Sequence, residues 1–345
     1  MDDKLEYYFG SSINSGGDEY TRLDQGAFRR ASNSGDERWR MIAGYMHGNY
    51  ILKGRYIADM VMRADGSSRF GIDKQVAFYP ALGLAWRISE EDFLRNNRLL
   101  DDLKIRGSIG FSGNDNLGNY TAHLRYLPSN YKYLGGIALN RLANTKLTAE
   151  RILEYNMGLD VSLFNQRLNF NFDIYDRTNQ NMVLPVMLTL EQGNYVMMNS
   201  GKLNNRGVEA TVSSYLKTGD VNWNFGISVA YNKNSVTELP KGIDMYEQSY
   251  EELFTAVASV GNAVGSYYGY RTEGVFSTDA EAATVINGDS RYEPFRGGDV
   301  KFVDINKDGI IDERDMTFLG KSMPDIFGGF QMQVSWKGIT NRRID

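Results

Sequence analysis

The chain has 345 residues, enough for a large core in one domain or two, and carries 38 Lys and Arg against 43 Asp and Glu, a formal net charge of −5. That balance excludes a basic nucleic-acid surface, and 42% hydrophobic with 23% charged residues excludes general disorder. Cysteine is absent, which removes disulfides, thiolate metal sites and cysteine nucleophiles, while 22 Tyr, 17 Phe and 36 Gly against 6 Pro point to strands joined by turns.

Met1-Asp2-Asp3-Lys4-Leu5-Glu6 lacks the cationic head and apolar run of a signal peptide. No later stretch approaches the roughly 18 apolar residues of a membrane helix. Barrel strands escape hydropathy, however, because only alternate residues face lipid. Weak period-two alternation runs through residues 55–63, 78–87 and 103–111. Between the last two, Ser89-Glu90-Glu91-Asp92-Phe93-Leu94 reads as an N-capped short helix. Tyr155, Met157, Leu159, Val161 and Leu163 then alternate with Asn156, Gly158, Asp160 and Ser162, and Phe170, Phe172 and Ile174 with Asn169, Asn171 and Asp173. A weaker pattern covers 207–216. The strictest set is Val221, Trp223, Phe225, Ile227, Val229 and Tyr231, interleaved with Asn222, Asn224, Gly226, Ser228, Ala230 and Asn232. Its eleven residues span a tilted bilayer crossing, which needs about 9–11. Phe330, Met332, Val334 and Trp336 repeat it near the end.

Alternation alone favours a soluble sheet with one wet face. Two details reverse that reading. The polar sets are Asn, Gln, Ser and Asp rather than Lys and Glu, as suits a polar lumen. Aromatics crowd the expected strand ends (Tyr131, Tyr133, Tyr175, Tyr267, Tyr268 and Tyr270), as interfacial girdles require. Tight connections at 165–167 and 217–220 alternate with long ones at 112–148, 177–205 and 233–325, the asymmetry of an outer-membrane barrel with short periplasmic turns and long extracellular loops. The expected fold is all-β: one partial antiparallel transmembrane barrel domain over 1–345.

The sharpest local motif is Asp304-Ile305-Asn306-Lys307-Asp308-Gly309-Ile310-Ile311-Asp312-Glu313-Arg314-Asp315, inside the 233–325 loop. Its spacing offers oxygens from Asp304, Asn306, Asp308, Asp312 and Asp315 and the Ile310 carbonyl to one calcium ion, with Gly309 at the turn. Asp replaces the usual Glu at the twelfth position, which shortens bidentate reach. The bland reading is an Asx-rich turn without metal. Arg206 and Glu209 are expected either to project into the lumen or to pair within the wall. Gly261, Gly265 and Gly269 read as loop or strand rather than a helix contact, and Tyr126, Tyr131, Tyr133 and Tyr246 as loop packing. Enzyme signals are poor: only His47 and His123 exist, far from any G-x-S-x-G elbow, and Glu90, Glu91 and Asp92 read as solvated charges.

Ordered segments also carry a family resemblance. They are Arg63-Ala64-Asp65-Gly66-Ser67-Ser68-Arg69-Phe70-Gly71, Tyr79-Pro80, Ala85-Trp86-Arg87-Ile88-Ser89, Leu103-Lys104-Ile105-Arg106, Ser112-Gly113-Asn114, and Glu154-Tyr155-Asn156-Met157-Gly158-Leu159-Asp160. Further on come Asn205-Arg206-Gly207-Val208-Glu209, Val260-Gly261, Gly265-Ser266-Tyr267-Tyr268-Gly269-Tyr270, Gly298-Asp299-Val300-Lys301-Phe302, and Pro324-Asp325-Ile326-Phe327-Gly328-Gly329-Phe330. Their order across 55–337 resembles the SusC/RagA group of TonB-dependent outer-membrane transporters. The resemblance implies a barrel of roughly twenty-two strands around an N-terminal plug. It also implies import of oligosaccharides or peptides powered by the TonB complex, and a SusD-like surface lipoprotein as partner. The plug and first strands have no counterpart here, and Ile339-Thr340-Asn341-Arg342-Arg343-Ile344-Asp345 departs from the family pattern. The expectation is a fragment that does not transport alone. An alternative is an extracellular calcium-binding β-rich module for carbohydrate binding or adhesion.

Overall fold

Period-two alternation becomes pairing in the computed structural model, which describes residues 2–13, 28–95, 97–131, 134–188, 195–250, 254–288, 293–337 and 339–344. The wall begins with β1 (Asp2–Ile13), β2 (Phe28–Leu52), β3 (Tyr56–Ser67), β4 (Val76–Arg87) and β5 (Leu100–Asn114). A hairpin of β6 (Arg125–Tyr131) and β7 (Leu134–Leu142) intervenes before β8 (Glu150–Leu163), β9 (Leu168–Met187), β10 (Tyr195–Thr218) and β11 (Val221–Glu238). Next come β12 (Met245–Tyr250), β13 (Phe254–Ser259), β14 (Ser266–Tyr270), β15 (Thr272–Val275), the one-turn helix α1 (Asp279–Ala282), β16 (Ile286–Asn287), β17 (Val300–Phe302), β18 (Ile310–Ile311) and β19 (Met316–Lys321). The chain returns to the wall with β20 (Ile326–Trp336) and β21 (Ile339–Ile344).

The wall is an antiparallel meander, β1-β2-β3-β4-β5-β8-β9-β10-β11-β20-β21, interrupted by two excursions at the same rim. The first is the β6–β7 hairpin. The second stacks a four-stranded sheet, β12-β13-β14-β19, with two small ribbons. Connections at the opposite rim are shorter, residues 88–99 between β4 and β5 being the longest, and the two-residue turn between β10 and β11 uses Gly219 at φ 61°, a left-handed value that costs glycine least. Several boundaries differ from expectation. β9 and β10 run on to Met187 and from Tyr195, and β11 to Glu238, so connections that read as loops are largely strand projecting beyond the rim. Ser89–Leu94 holds a single 3₁₀ turn over Ile88–Glu90 with no side-chain cap, rather than an N-capped helix.

Register settles the two faces. One in-register row joins Val161, Phe170, Val212, Ile227 and Phe330; the rows beside it join Leu159, Phe172, Ala210 and Val229, and Phe225 with Met332. On this face Ile227 is 51% exposed, Leu84 57% and Met157 66%. A continuous apolar surface of that size marks a lipid contact. The buried apolar side chains, Phe70, Tyr79, Leu147, Val257 and Phe276 among them, lie at the long-loop end instead. There the loops pack on one another, with Phe70, Ala77, Tyr79 and Ala149 as one cluster.

The rows also give the tilt. Trp86, at the short-turn end of β4, shares a row with Ile105, Leu159, Phe172, Ala210 and Val229, yet β11 begins at Val221. The eight residues from Val221 to Val229 rise about 27 Å over five strand spacings of about 4.8 Å each. The slope is near 45°, close to the roughly 35–45° of membrane barrels.

Candidate functional site

The face opposite the apolar one is polar, and its centre is a four-charge network built from β5, β8 and β9. Arg106 donates from Nη1 and Nη2 to the two carboxylate oxygens of Asp173 at 2.7 and 2.6 Å, and from Nε to Asp160 at 3.2 Å. Lys104 lies 2.8 Å from Asp160, and Asn171 donates to it at 2.9 Å. Two cations face two carboxylates, so the network is neutral, and its charge-assisted bonds are about twice as strong as neutral ones. The guanidinium lies over Gly158, where any Cβ would overlap it. Toward the long-loop rim Arg177 donates to Glu154 at 2.9 Å, and the Tyr175 hydroxyl donates to Asn232 at 3.2 Å across Gly207. Asn232 and Asn234 both donate to Asn205. These groups form a hydrogen-bonded polar lining with no acid–base pair of catalytic layout among them. His47 sits 2.8 Å from Asp59, and His123 stacks edge-on with Tyr120; among the described residues neither meets a serine.

The acidic loop lies beyond the wall between β17 and β19. Asp304 accepts from the backbone of Lys307 at 2.6 Å and of Gly309 at 2.7 Å, and Asn306 accepts from Asp308 at 2.9 Å. Asp308 accepts from Ile310 at 2.9 Å. Fully buried Asp315 accepts from Ile305 at 2.8 Å and from Asp312 at 3.0 Å. Burial pushes the Asp315 carboxyl up, and the backbone donors of Asp312, Ile305 and Asn306 overcome that and hold it below the usual aspartate range. Arg314 bridges Asp308 at 2.9 Å and Asp312 at 2.7 Å, which holds Asp312 low as well. Among the described residues no three acidic or histidine side chains converge on one point. The loop therefore holds a turn around Asp304 and an internal cation, Arg314, between two of its carboxylates.

Several expected positions move. Tyr175 turns to the polar face, and Tyr267, Tyr268 and Tyr270 belong to β14 of the stacked sheet, so none of them is a girdle residue of the wall. Tyr133 and the Tyr131 side chain lie outside the described residues. The outward aromatics at the rims are instead Tyr56 and Trp86 at the short-turn side, with Tyr155 and Tyr231 opposite. Three residues apart on one strand, Arg206 and Glu209 face opposite ways. Arg206 is outward and pairs with Asp176 within the wall at 2.7 Å. Gly261 is a turn and Gly269 strand, as the sequence suggested, whereas Tyr246 lies on β12 and donates to the Pro185 carbonyl of β9 at 2.7 Å, joining two strands rather than two loops. Glu91 is not a solvated charge: it takes Arg55, Tyr56 and Trp86 together, and the Tyr56 and Trp86 hydrogen bonds lead in lowering its pKa. The Arg106 network was invisible in sequence because parity assigns a face but not a partner.

Comparison with known proteins fits this geometry. A family model described as TonB dependent receptor-like, beta-barrel matches residues 2–308. TonB-dependent receptor P3 of Formosa agariphila is 30% identical over 331 residues, covering 92% of this chain and 32% of its own length. TonB-dependent receptor SusC of Bacteroides thetaiotaomicron is 28% identical over 347 residues, covering 95% and 33%. The chain thus spans about a third of these curated relatives. The RagAB peptide transporter superposes with a TM-score of 0.77 at 21% identity, over 99% of this chain and 40% of that one.

Proposed function

The chain belongs to the TonB-dependent receptor-like β-barrel family, and from that premise we propose that its wall lines the import path of a TonB-driven transporter for oligosaccharides or peptides. It is an outer-membrane β-barrel wall, not an enzyme. The continuous lipid-type face also excludes a soluble adhesin or carbohydrate-binding module. The observation that carries the transport reading is one sheet with an apolar face, an opposite face of fixed polar networks, and ordered excursions at a single rim. A polar lumen passes hydrated solutes, and loops gathered at one mouth select them. A SusD-like lipoprotein would dock on that mouth. β1 and β21 end the sheet, and among the described residues they do not pair with each other. Open edges in lipid leave backbone groups unsatisfied at several kcal/mol each, so the 345 residues alone are not transport-competent.

The test is uptake of labelled oligosaccharides and peptides by cells carrying the receptor, before and after collapse of the proton gradient. Deleting residues 245–321 should abolish uptake and co-purification of a surface lipoprotein while the wall persists. Uptake that survives uncoupling would refute the energised reading; selective uptake by liposomes holding only this chain would refute the claim about the isolated wall.

The same reading extends to the acidic loop, where calcium would stiffen the mouth. Six to eight oxygens suit calcium; Asp304, Asn306, Asp308, Asp312, Asp315 and the Ile310 carbonyl would supply that set only after Arg314 swings out and the Asp304 and Asp315 carboxylates turn from the backbone amides they now accept. Binding is then a competition between calcium and the guanidinium. Calorimetry on the receptor should show tighter calcium binding in Arg314→Gln and none in Asp304→Ala; equal heats in all three would reject the site.

A further inference from the structure

The rim of the apolar face carries a cationic row that neither transport nor the calcium loop uses. Tyr155, Asp176, Arg206 and Lys233 stand side by side on β8, β9, β10 and β11, in register and outward. The next row toward the short turns is apolar, Met157, Ile174 and Val208, and closes on Tyr231. Here the lipid face ends and charge begins. Because the strands tilt, the row climbs as it crosses the wall. Lys233 stands twelve residues beyond Val221, about 29 Å above its turn at 3.4 Å per residue and 45°. Tyr231 is about 24 Å up by the same measure, at the edge of an apolar band about 25 Å tall. The two cations therefore lie at headgroup height, and the tyrosines mark the interface beneath them.

The local charges do not cancel. Arg206 is 70% exposed though paired with Asp176, and Asp176 is also held by Asn204 at 2.6 Å. The neighbouring Asp325 is taken by Lys321. Lys233 is exposed, and among the described residues no carboxylate pairs with it. A groove of about 470 Å³ runs beneath the pair, floored by Met157, Ile174 and Val208 and walled by Tyr155 and Tyr231. Two cations over an apolar groove at a lipid interface are complementary to one kind of occupant: a phosphate on an acyl chain.

We propose that Arg206 and Lys233 hold the phosphate of an outer-leaflet glycolipid of the lipid A type, with one acyl chain in the groove between Tyr155 and Tyr231. Asp176 then acts as a positioning residue, aiming the guanidinium outward rather than neutralising it. The site tethers the wall to its leaflet and is independent of the imported solute. It rests on the long-loop rim facing out of the cell, and that rim can be checked separately by surface labelling.

The experiment is native mass spectrometry of the detergent-purified receptor titrated with lipid A and with enzymatically dephosphorylated lipid A. Gel heat-modifiability confirms that each variant is folded. Each cation near an anionic headgroup is worth about fivefold in affinity, so Arg206→Gln/Lys233→Gln should weaken lipid A binding about 10- to 30-fold. The dephosphorylated lipid should bind the parent weakly and be unaffected by the variant. Lys217→Gln, at the other rim, should change nothing. Equal binding of the two lipids, or an unchanged affinity in the double variant, would overturn the proposal and leave an ordinary annular lipid contact.

Discussion

Ile227 and Ser228 are neighbours on β11 that face opposite sides of the wall, and a lysine at each separates lipid from lumen. Ile227 is six residues beyond Val221, which at 3.4 Å per residue and 45° puts it about 14 Å above the turn, near the middle of an apolar band about 25 Å tall. It is 51% exposed on that face, with Val212 on one side and Phe330 on the other and no polar group in its row. A lysine at the midplane of a barrel's lipid face costs about 2–4 kcal/mol, falling to about 0–1 near the interfaces. Ile227→Lys should therefore lower the folding equilibrium constant by about 30- to 1,000-fold, since about 1.4 kcal/mol is a factor of ten. Tyr231→Lys, about 10 Å nearer the interface, should cost under about 1 kcal/mol. Ser228→Lys, facing the lumen, should cost about as little. Reversible denaturant unfolding of the receptor from bilayers of fixed composition measures all three. Equal costs at 227 and 228, or a larger cost at 231 than at 227, would refute both the facing and the depth.

Arg106→Met should cost about 1–3 kcal/mol by leaving Asp173 without its donor and Asp160 with only Lys104 and Asn171. The same unfolding assay should show non-additivity with Asp173→Asn, because the two share one network. At Gly207 a Cβ would meet both the Tyr231 carbonyl and the Tyr175 hydroxyl, so Gly207→Ala should lose about 1–3 kcal/mol through overpacking; an unchanged midpoint would count against the close approach. Against the opposing effect of burial, backbone donors hold the Asp315 carboxyl below the usual aspartate range in the fold. Its contribution is then full above the unfolded value and is lost as pH falls through the depressed one. Amide exchange at Ile305, Asn306 and Asp312 should accelerate only below that range, and at neutral pH in Asp315→Asn. Acceleration beginning near pH 6 would contradict the assignment.

Strand identity and facing were legible because both are local. Val221 to Tyr231 alternates strictly, and no structure was needed to expect one apolar and one polar face there. Turn position was legible at Gly219, where a left-handed backbone favours glycine. The aromatic girdle failed as a reading because it was placed by nearness to expected strand ends. Tyr175 has the wrong parity, and Tyr267, Tyr268 and Tyr270 belong to a stacked sheet whose pairing is non-local. The loop over 304–315 was half legible: its Asx geometry follows from spacing, whereas Arg314 closing on Asp308 and Asp312 depends on side-chain conformation.

By itself the sequence determined that the chain makes an amphipathic antiparallel wall with long excursions at one rim, because period and turn chemistry act within a few residues. Only the tertiary structure decided the stagger that puts Trp86 level with Val229 along the rows, and with it which charges meet. Arg106 finds Asp160 and Asp173, and Arg206 stands beside Lys233, through register between strands. Register is set by the summed fit of whole strands and their tilt, which no single strand contains.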